Sequence, residues 1–485
     1  MVFSSHVFIF YFLPAVLVLY YIFPRRGKHT LLTLVSYVFY GWTNPLFTVL
    51  MFTSTLIDYT AVLFMVDRVH PRDRRAVEQL DPRGTRTTRQ KVALTVSIIS
   101  NLSLLGFFKY FNFATESWNS FVQILSMHGW TIEHAIRVTL PLGISFYTFQ
   151  SMSYTIDTYR GDAKAQRNFL DFACYVSMFP QLVAGPIIRY REIADQLEYR
   201  VYSLEKFARG VSFVCFGLAK KILLANPCGS IADLTFDAAS VGVMDAWTGV
   251  IAYAFQIYFD FSGYSDIAIG LGLMFGFVFA KNFDRPYISQ SITEFWRRWH
   301  LSLSTWLRDN LYVPLGGNRK GRGRTYVNLA ITMLLGGLWH GAAWNFVIWG
   351  GIQGFFLIIE RFRGKTSPYH RLPPAFRVLL TFVIVLFSWV FFRSPDLQTA
   401  VRYCGNMLGF GVPHEPTALI QGIVRQPYFI GTMVIAGLVT WCMPDTWDFT
   451  RNLSLLKAVW ALVLLGISLV VLFTQSYNPF IYFIF

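Results

Sequence analysis

The chain has 485 residues, of which 54% are hydrophobic and only 14% are charged, and its formal net charge is +15. Soluble domains carry roughly 25% charged residues, so this composition excludes an ordinary soluble protein. The positive charge does not indicate nucleic-acid binding, because it lies in clusters between apolar stretches, as it does in the cytoplasmic loops of membrane proteins. These clusters are residues 25–28, 68–91 and 320–324.

Apolar stretches that could cross a bilayer follow one another along most of the chain. A crossing helix needs about 20 mostly apolar residues. In chain order, the candidates are residues 2–23, 46–66, 92–113, 140–159, 247–277, 326–359, 378–392, 429–443 and 455–473, with a shorter one at 31–42. A further stretch, 211–224, is interrupted by Lys220 and Lys221. Two stretches exceed one crossing, so we expect about ten to twelve membrane segments in an all-α, polytopic fold that forms one domain over residues 1–485.

The basic clusters predict the orientation. Arg25, Arg26 and Lys28 follow the first apolar stretch. Basic loops stay in the cytoplasm, so the N-terminus is expected on the outer side.

Two segments depart from the simple pattern of spans. Residues 169–188 are apolar but contain Pro180, Gly185 and Pro186, which interrupt helices. We predict a re-entrant segment there, with a kinked ordinary span as the alternative; irregular backbone at membrane depth must be buried in protein or line a watery cavity. Residues 394–425 are the most polar stretch late in the chain and are predicted to form a loop.

Two of the nine histidines lie in settings that indicate chemistry. His340 lies within a long apolar stretch and is flanked by glycines, which allow a ligand or another backbone to approach closely. A neutral imidazole can act as a general base near pH 7. His300 follows a segment rich in tryptophan and arginine, which is typical of a helix at the membrane interface. For both histidines, a buried and hydrogen-bonded structural role is the alternative.

Carboxylates within apolar stretches are the second group of candidates. Asp260 and Asp266 lie in a stretch that also contains hydroxyls and a glycine, and Asp58 lies in an earlier one. Such a pattern predicts either a polar tunnel wall or paired groups that hold helices together.

Several enzyme classes find no support. The five cysteines have no paired spacing, which predicts neither a disulfide framework nor a metal site. The chain also lacks the motifs G-x-x-x-x-G-K-[ST], H-E-x-x-H and G-x-S-x-G. The sequence therefore does not indicate an ATPase, a zinc protease or a serine hydrolase.

Six stretches together resemble the membrane-bound O-acyltransferase (MBOAT) family, most closely the membrane subunits of bacterial alginate O-acetylation. They are MVFSS at 1–5, LPLGISFY at 140–147, FPQLVAGP at 179–186, YFDFSGYSD at 258–266, WRRWH at 296–300 and GLWHG at 337–341. The resemblance implies an hourglass-like helical bundle with a funnel from each side. It implies that His340 is the catalytic general base and that His300 orients the acceptor or polarises the thioester carbonyl.

The resemblance also implies a donor, an acyl relay and partners. Acetyl-coenzyme A (acetyl-CoA) would be the donor, no metal would be needed, and Tyr482 in the aromatic tail 480–485 would carry the acyl group, unless that tail is only an interfacial aromatic belt. Basic residues at the inner mouth would suit the phosphates of coenzyme A, although cytoplasmic orientation alone also explains them; they are Arg297, Arg298, Lys320 and Arg322. Periplasmic acetyltransferases of the SGNH type and membrane lipids are the expected partners, in a bacterial inner membrane with the N-terminus in the periplasm.

The function expected from this resemblance is transfer of acetyl across the membrane for O-acetylation of an exopolysaccharide, alginate first. Peptidoglycan, cellulose and teichoic acid are alternative polymers. A polysaccharide or ion transporter without covalent chemistry is the alternative of another class, although the chain shows no internal repeat of the kind found in many carriers. A scaffold that only anchors a polysaccharide assembly is a third.

Overall fold

The computed structural model describes residues 1–67, 79–133, 135–238, 241–362, 367–410 and 418–481. All regular elements within these ranges are helices, so the predicted all-α class is confirmed. Named in chain order, the α-helices are α1 Leu13–Ile22, α2 Lys28–Gly41, α3 Leu46–Met65, α4 Thr88–Ile124, α5 Ile144–Arg160, α6 Phe169–Ser177, α7 Phe179–Leu182, α8 Tyr190–Glu198, α9 Leu204–Ala219, α10 Asn226–Phe236, α11 Val243–Met274, α12 Ile292–Phe295, α13 Leu301–Leu307, α14 Gly321–His340, α15 Trp344–Phe362, α16 Pro374–Arg393, α17 Leu397–Met407, α18 Ala418–Val424, α19 Pro427–Cys442, α20 Thr446–Phe449 and α21 Leu455–Thr474. Shorter π-helical segments are Phe8–Phe12, Lys220–Ala225 and Arg308–Tyr312, and single 3-10 turns are Arg25–Gly27, His128–Trp130 and Pro286–Ile288.

Within the described ranges, four helices are both long and apolar enough to cross a membrane. They are α3, α4, α16 and α21, and two shorter apolar helices span Phe8–Ile22 and Pro427–Cys442. Several predicted stretches are helical but carry too many polar groups or are broken; residues 326–359, for example, form α14 and α15 with an interruption after His340. The number of ten to twelve membrane segments stays a prediction.

The chain forms two compact units, Met1–Phe207 with Gly272–Phe279, and Ala208–Leu271 with Ala280–Phe485. The single domain expected from the sequence stays a prediction.

In the first unit, a buried carboxylate joins three helices. Asp58 of α3 is completely buried and accepts hydrogen bonds from Asn101 Nδ2 at 2.8 and 2.9 Å and from Ser97 Oγ at 2.5 Å, both on α4. Ser151 of α5 donates a further hydrogen bond to it. A polar group in an apolar interior is costly unless it is paired, so this cluster keeps the three helices in register. Of the two interpretations given for carboxylates within apolar stretches, pairing that holds helices together describes Asp58.

The predicted re-entrant segment is broken as expected. It contains α6 with nine residues and α7 with four, and neither is long enough to cross a hydrocarbon layer of about 30 Å. Pro180 lies in the first turn of α7, and Gln181 Nε2 donates to the carbonyl of Tyr175 at 2.6 Å, near the end of α6. Residues 172–190 are buried in protein, which is the condition for irregular backbone at membrane depth.

In the second unit, glycines bring α14 and α15 into close contact. A Cβ atom at Gly337 would lie 2.3 Å from the carbonyl oxygen of Phe346, and one at Gly350 would lie 2.3 Å from that of Met333. Small residues of this kind let the backbones of two helices approach each other. The contact positions the end of α14, where His340 lies.

The prediction of a loop over residues 394–425 is wrong for most of the segment. It contains α17 and α18. Asp396 caps α17 by accepting from the Thr399 amide at 2.8 Å, and the helix buries Ala400 and Tyr403. The segment is polar because α17 is amphipathic, with one buried and one exposed face.

The close glycine contact generates a stability prediction. Gly350→Ala places a methyl group against the Met333 carbonyl and should destabilise the protein by about 1–3 kcal/mol, measured as a lower thermal unfolding midpoint in detergent. Gly351→Ala is the matched control. Its Cβ would lie 3.7 Å from Leu334, an ordinary contact, so the control should be neutral or slightly stabilising. An equal effect of the two changes would contradict the assigned contact.

Candidate active site

His340 is the last residue of α14, and its side chain is held in an aromatic box. Its ring centroid lies 5.0 Å from that of Trp339, 5.2 Å from that of Trp349 and 5.3 Å from that of Phe392. The residue is only 7% exposed. The chain leaves the helix at Gly341, where a Cβ would meet the ring of Phe346 at 2.2 Å, so only glycine fits this turn.

His300 lies immediately before α13 in a strained conformation. Its φ of 43° and ψ of 56° are left-handed, which is uncommon for a residue with a side chain of this size. The residue is completely buried, and its ring centroid lies 4.7 Å from that of Phe261. Strained backbone of this kind is concentrated at functional sites.

Asn282 determines the tautomer of His300. The Oδ1 atom of Asn282 lies 3.2 Å from Nδ1 of His300 and also accepts from Ser302, from its amide at 3.3 Å and its hydroxyl at 2.9 Å. An amide oxygen only accepts, so this network assigns the proton of His300 to Nδ1. The Nε2 atom then has a lone pair, and within the described part of the chain it has no hydrogen-bond partner. Burial lowers the pKa of His300 to about 3, which keeps the ring neutral.

The two histidines are neighbours, and a small cavity lies beside one of them, His340. Their ring centroids are 6.3 Å apart. A cavity of about 10 Å³ beside His340 is lined by Ile257, Phe261, Trp299, Trp389, Phe392 and Ile481. That volume holds roughly one water molecule. The structure therefore brings together the two histidines that the sequence singled out, in mostly apolar surroundings.

The carboxy-terminal tail reaches the same cavity. Ile481, one of the lining residues, is only 2% exposed. Tyr482, the predicted acyl carrier, lies outside the described residues.

Asp260 and Asp266 of α11 are ion-paired with consecutive lysines. Asp260 lies 2.5 Å from Nζ of Lys221, and Asp266 lies 2.7 Å from Nζ of Lys220. Asp266 also lines a second cavity of about 10 Å³, whose walls include Asn282. Pairing between elements, one of the two interpretations of the sequence, describes both residues; the tunnel wall stays a prediction.

The four basic residues expected at the inner mouth are not gathered at the histidines. Lys320 and Arg322 are exposed at the start of α14, whereas His340 ends that helix. Arg324 and His340 are 16 residues apart on one unbroken helix, about 24 Å. Arg297 is exposed, and Arg298 is ion-paired with Glu294 at 2.9 Å and with Asp284 at 3.2 Å. Their binding to coenzyme A stays a prediction.

A cluster of three carboxylates has the spacing of a cation site, but it already surrounds a lysine. Oxygens of Asp284, Asp445 and Asp448 lie within 4.8 Å of one another. The ammonium of Lys281 lies 2.9, 2.7 and 3.2 Å from them, respectively. Although burial alone would lower it, Asp445 and Asp284 raise the pKa of Lys281. The ammonium of Lys281 already lies among the three carboxylates, and the cluster gives no reason to assign a metal.

Sequence reasoning missed three residues of this site. Asn282 lies in a loop without a motif, Lys221 interrupts an apolar stretch, and Ile481 is one of several apolar residues in the tail. The unusual feature of Lys221, a charge in an otherwise apolar stretch, was the available signal.

Comparison with known proteins gives the family. A sequence model described as MBOAT, the membrane-bound O-acyltransferase family, matches residues 160–394. A relative from Pseudomonas putida named probable alginate O-acetylase AlgI is 42% identical over 100% of both chains, and one of the same name from Azotobacter vinelandii is 47% identical over 85% of this chain and 79% of its own. A peptidoglycan O-acetyltransferase from Helicobacter pylori is 32% identical over 100% of this chain and 97% of its own.

This chain belongs to the membrane-bound O-acyltransferase family. It is a multi-pass membrane protein and an acyltransferase, which confirms the fold and the class of enzyme inferred from the sequence.

The burial of His300 predicts a pH dependence of stability. Its pKa of about 3 in the folded protein is lower than its ordinary value of 6.5, so the unfolded chain binds a proton that the folded one rejects between these limits. Stability should therefore decline as the pH falls below about 6.5, with a limiting slope of about 1.4 kcal/mol per pH unit, and should not depend on His300 above that. Unfolding midpoints at pH 7 and pH 5 measure it.

The matched variant is His300→Asn, because asparagine tolerates a left-handed backbone. It should lose less stability between pH 7 and pH 5 than the wild type. An equal loss in both proteins would show that His300 is not the group responsible.

Proposed function

We propose that this protein takes acetyl from cytoplasmic acetyl-CoA and transfers it across the inner membrane for O-acetylation of an exopolysaccharide, with alginate as the polymer. The observation that carries the proposal is that the buried rings of His300 and His340 are neighbours and that a cavity lies beside His340. An acyltransferase needs a base for the acceptor hydroxyl and a site that excludes water from the thioester.

In the proposed reaction, His340 is the general base. A nitrogen of its imidazole takes the proton of the acceptor hydroxyl, and the oxygen attacks the carbonyl carbon of the thioester. The carbon–sulfur bond then breaks, and the proton passes from His340 to the sulfur, so that coenzyme A leaves as the free thiol. The aromatic box around His340 restricts the ring orientation that this transfer requires.

The geometry favours one of the two roles considered for His300. Polarising a carbonyl needs a donor, whereas Nε2 of His300 presents a lone pair because Nδ1 carries the proton. Its low pKa also makes it a poor base. We therefore assign His300 the role of orienting the acceptor: its Nε2 accepts a hydrogen bond from the hydroxyl before His340 removes the proton.

The donor would approach along α14. Exposed cations at the start of this helix suit the phosphates of coenzyme A, and the catalytic histidine ends it. In the proposal, the extended acyl-pantetheine chain of the donor covers the distance between these cations and His340. In this proposal the N-terminus faces the periplasm, and membrane lipids surround the apolar helices.

The acceptor in the proposal is Tyr482, from which periplasmic acetyltransferases of the SGNH type take the group to the polysaccharide. The position of Ile481 at the cavity of His340 supports a role of the tail. The names of the relatives support alginate as the polymer, since those at 42% and 47% identity are named alginate O-acetylases. Peptidoglycan is the second candidate, because one full-length relative is named for it at 32% identity.

The direct test of the relay uses radiolabelled acetyl-CoA and the purified protein. Wild type should retain label on the tail, while His340→Ala and Tyr482→Phe should each lose at least about 100-fold of it, because base and acceptor are both required. His370→Ala is the control, since His370 is an exposed histidine that should leave labelling unchanged.

Three outcomes would distinguish the proposed acyl relay from its alternatives. Thioester cleavage without retained label would move the acceptor to a partner protein. Cleavage at the wild-type rate in His340→Ala would refute the assigned base. No cleavage in any sample, with periplasmic partners supplied, would favour a transporter.

A further inference from the structure

The tail that follows α21 is inserted into the second unit. The side chains of Phe480 and Ile481 are 5% and 2% exposed. The ring of Phe480 lies 4.2 Å from that of Tyr264 on α11, and Ile481 lines the cavity of His340. The last described residues of the chain are therefore part of the core.

A buried ion pair holds the main chain of this tail. The Nζ of Lys221 lies 2.5 Å from Oδ1 of Asp260, and their side chains are 1% and 2% exposed. Lys221 also donates a hydrogen bond to the carbonyl of Pro479, and Oδ2 of Asp260 accepts one from the amide of Ile481 at 3.1 Å. Each charged group thus has one partner in the ion pair and one in the tail.

The local helix geometry allows this arrangement. Lys220 and Lys221 begin the π-helical segment Lys220–Ala225, and both side chains reach carboxylates of α11. Consecutive residues of an ordinary α-helix point about 100° apart, and π-helical turns occur frequently at functional sites.

Further hydrogen bonds hold the part of the tail that lies nearer to α21 in the chain. The Nδ2 of Asn226 donates to the carbonyl of Tyr477 at 3.2 Å, and the hydroxyl of Tyr477 donates to Asp233. Main-chain atoms of three tail residues, Tyr477, Pro479 and Ile481, are bound in this way.

A buried ion pair is a weak source of stability, because desolvation offsets much of the attraction. Hydrophobic residues of similar volume often replace such a pair without loss, so stability alone does not explain its presence. Its hydrogen bonds to the tail provide another reason.

We infer that Lys221 and Asp260 are positioning residues that hold the carboxy-terminal tail so that Ile481 lies at the cavity of His340. The inference rests on the proposed function in one respect, that the tail carries the acyl group. The holding of the tail is itself independent of that chemistry and is measured separately.

The test compares wild type with Lys221→Met/Asp260→Leu, which removes both charges and leaves no unpaired one in the core. Full-length protein in detergent is treated with carboxypeptidase Y, and release of Ile481 and Phe480 is followed by mass spectrometry. We expect release to be at least about tenfold faster from the double variant, because each lost hydrogen bond involved a charged group. In acetyl transfer, kcat should fall while KM for acetyl-CoA stays unchanged, which a general loss of structure would not produce.

A second variant leaves the ion pair intact. Asn226→Leu removes two neutral hydrogen bonds to the tail, one to the carbonyl of Tyr477 and one to Oδ1 of Asn478 at 3.3 Å, and should speed release by at least roughly five- to tenfold. Ser230→Ala is its control on the same helix: the Ser230 hydroxyl donates to the Asn226 carbonyl at 3.3 Å, and release should match wild type.

Release at the wild-type rate from the folded double variant would overturn the inference. If that variant does not fold, unchanged release from Asn226→Leu would overturn it instead. Faster release in a protein whose wild type never carries acetyl on the tail would support the holding of the tail and refute the acyl relay.

Discussion

The constraint on which the structure depends is that a charged group buried in this apolar protein needs a partner. Asp58 meets it with hydroxyls and an amide from two neighbouring helices, and Asp260 meets it with Lys221 and a tail amide. An unpaired charge in such surroundings would cost several kcal/mol. Polar residues therefore act as specific connections, whereas the apolar side chains around them pack without fixing a unique partner.

The candidate active site applies the same constraint to chemistry. His340 is placed by a glycine-mediated contact between two helices, which leaves little freedom at the helix end. His300 is placed by a strained backbone and by Asn282, which holds the proton on one nitrogen and leaves the other available. Their surroundings thus give the two rings different properties. In the proposed reaction, His340 moves a proton, and His300 accepts a hydrogen bond while it stays neutral.

Ile481, the last described residue of the tail, forms part of the wall of the cavity beside His340. In the proposed relay, a nucleophile on the same chain as the base would turn a bimolecular encounter into an intramolecular one, which gives a large kinetic advantage when the geometry is fixed. Main-chain contacts to Tyr477, Pro479 and Ile481 hold the described part of the tail in place. The buried ion pair thus joins an element of the core to the end of the chain.

The sequence by itself determined the class of protein, because apolar stretches of membrane length and the scarcity of charge permit few other structures. It also identified the two candidate histidines through their motifs, and it predicted the break in residues 169–188 from proline and glycine. It failed where polarity was read as a loop, since α17 is polar on one face only. Only the tertiary structure decided that Asn282 serves His300, that Lys221 pairs with Asp260, and that both hold a tail whose contacts are 221 and 258 residues away along the chain. The physical reason is that periodicity and motifs describe neighbours in sequence, whereas the pairing of buried polar groups depends on which distant elements pack together.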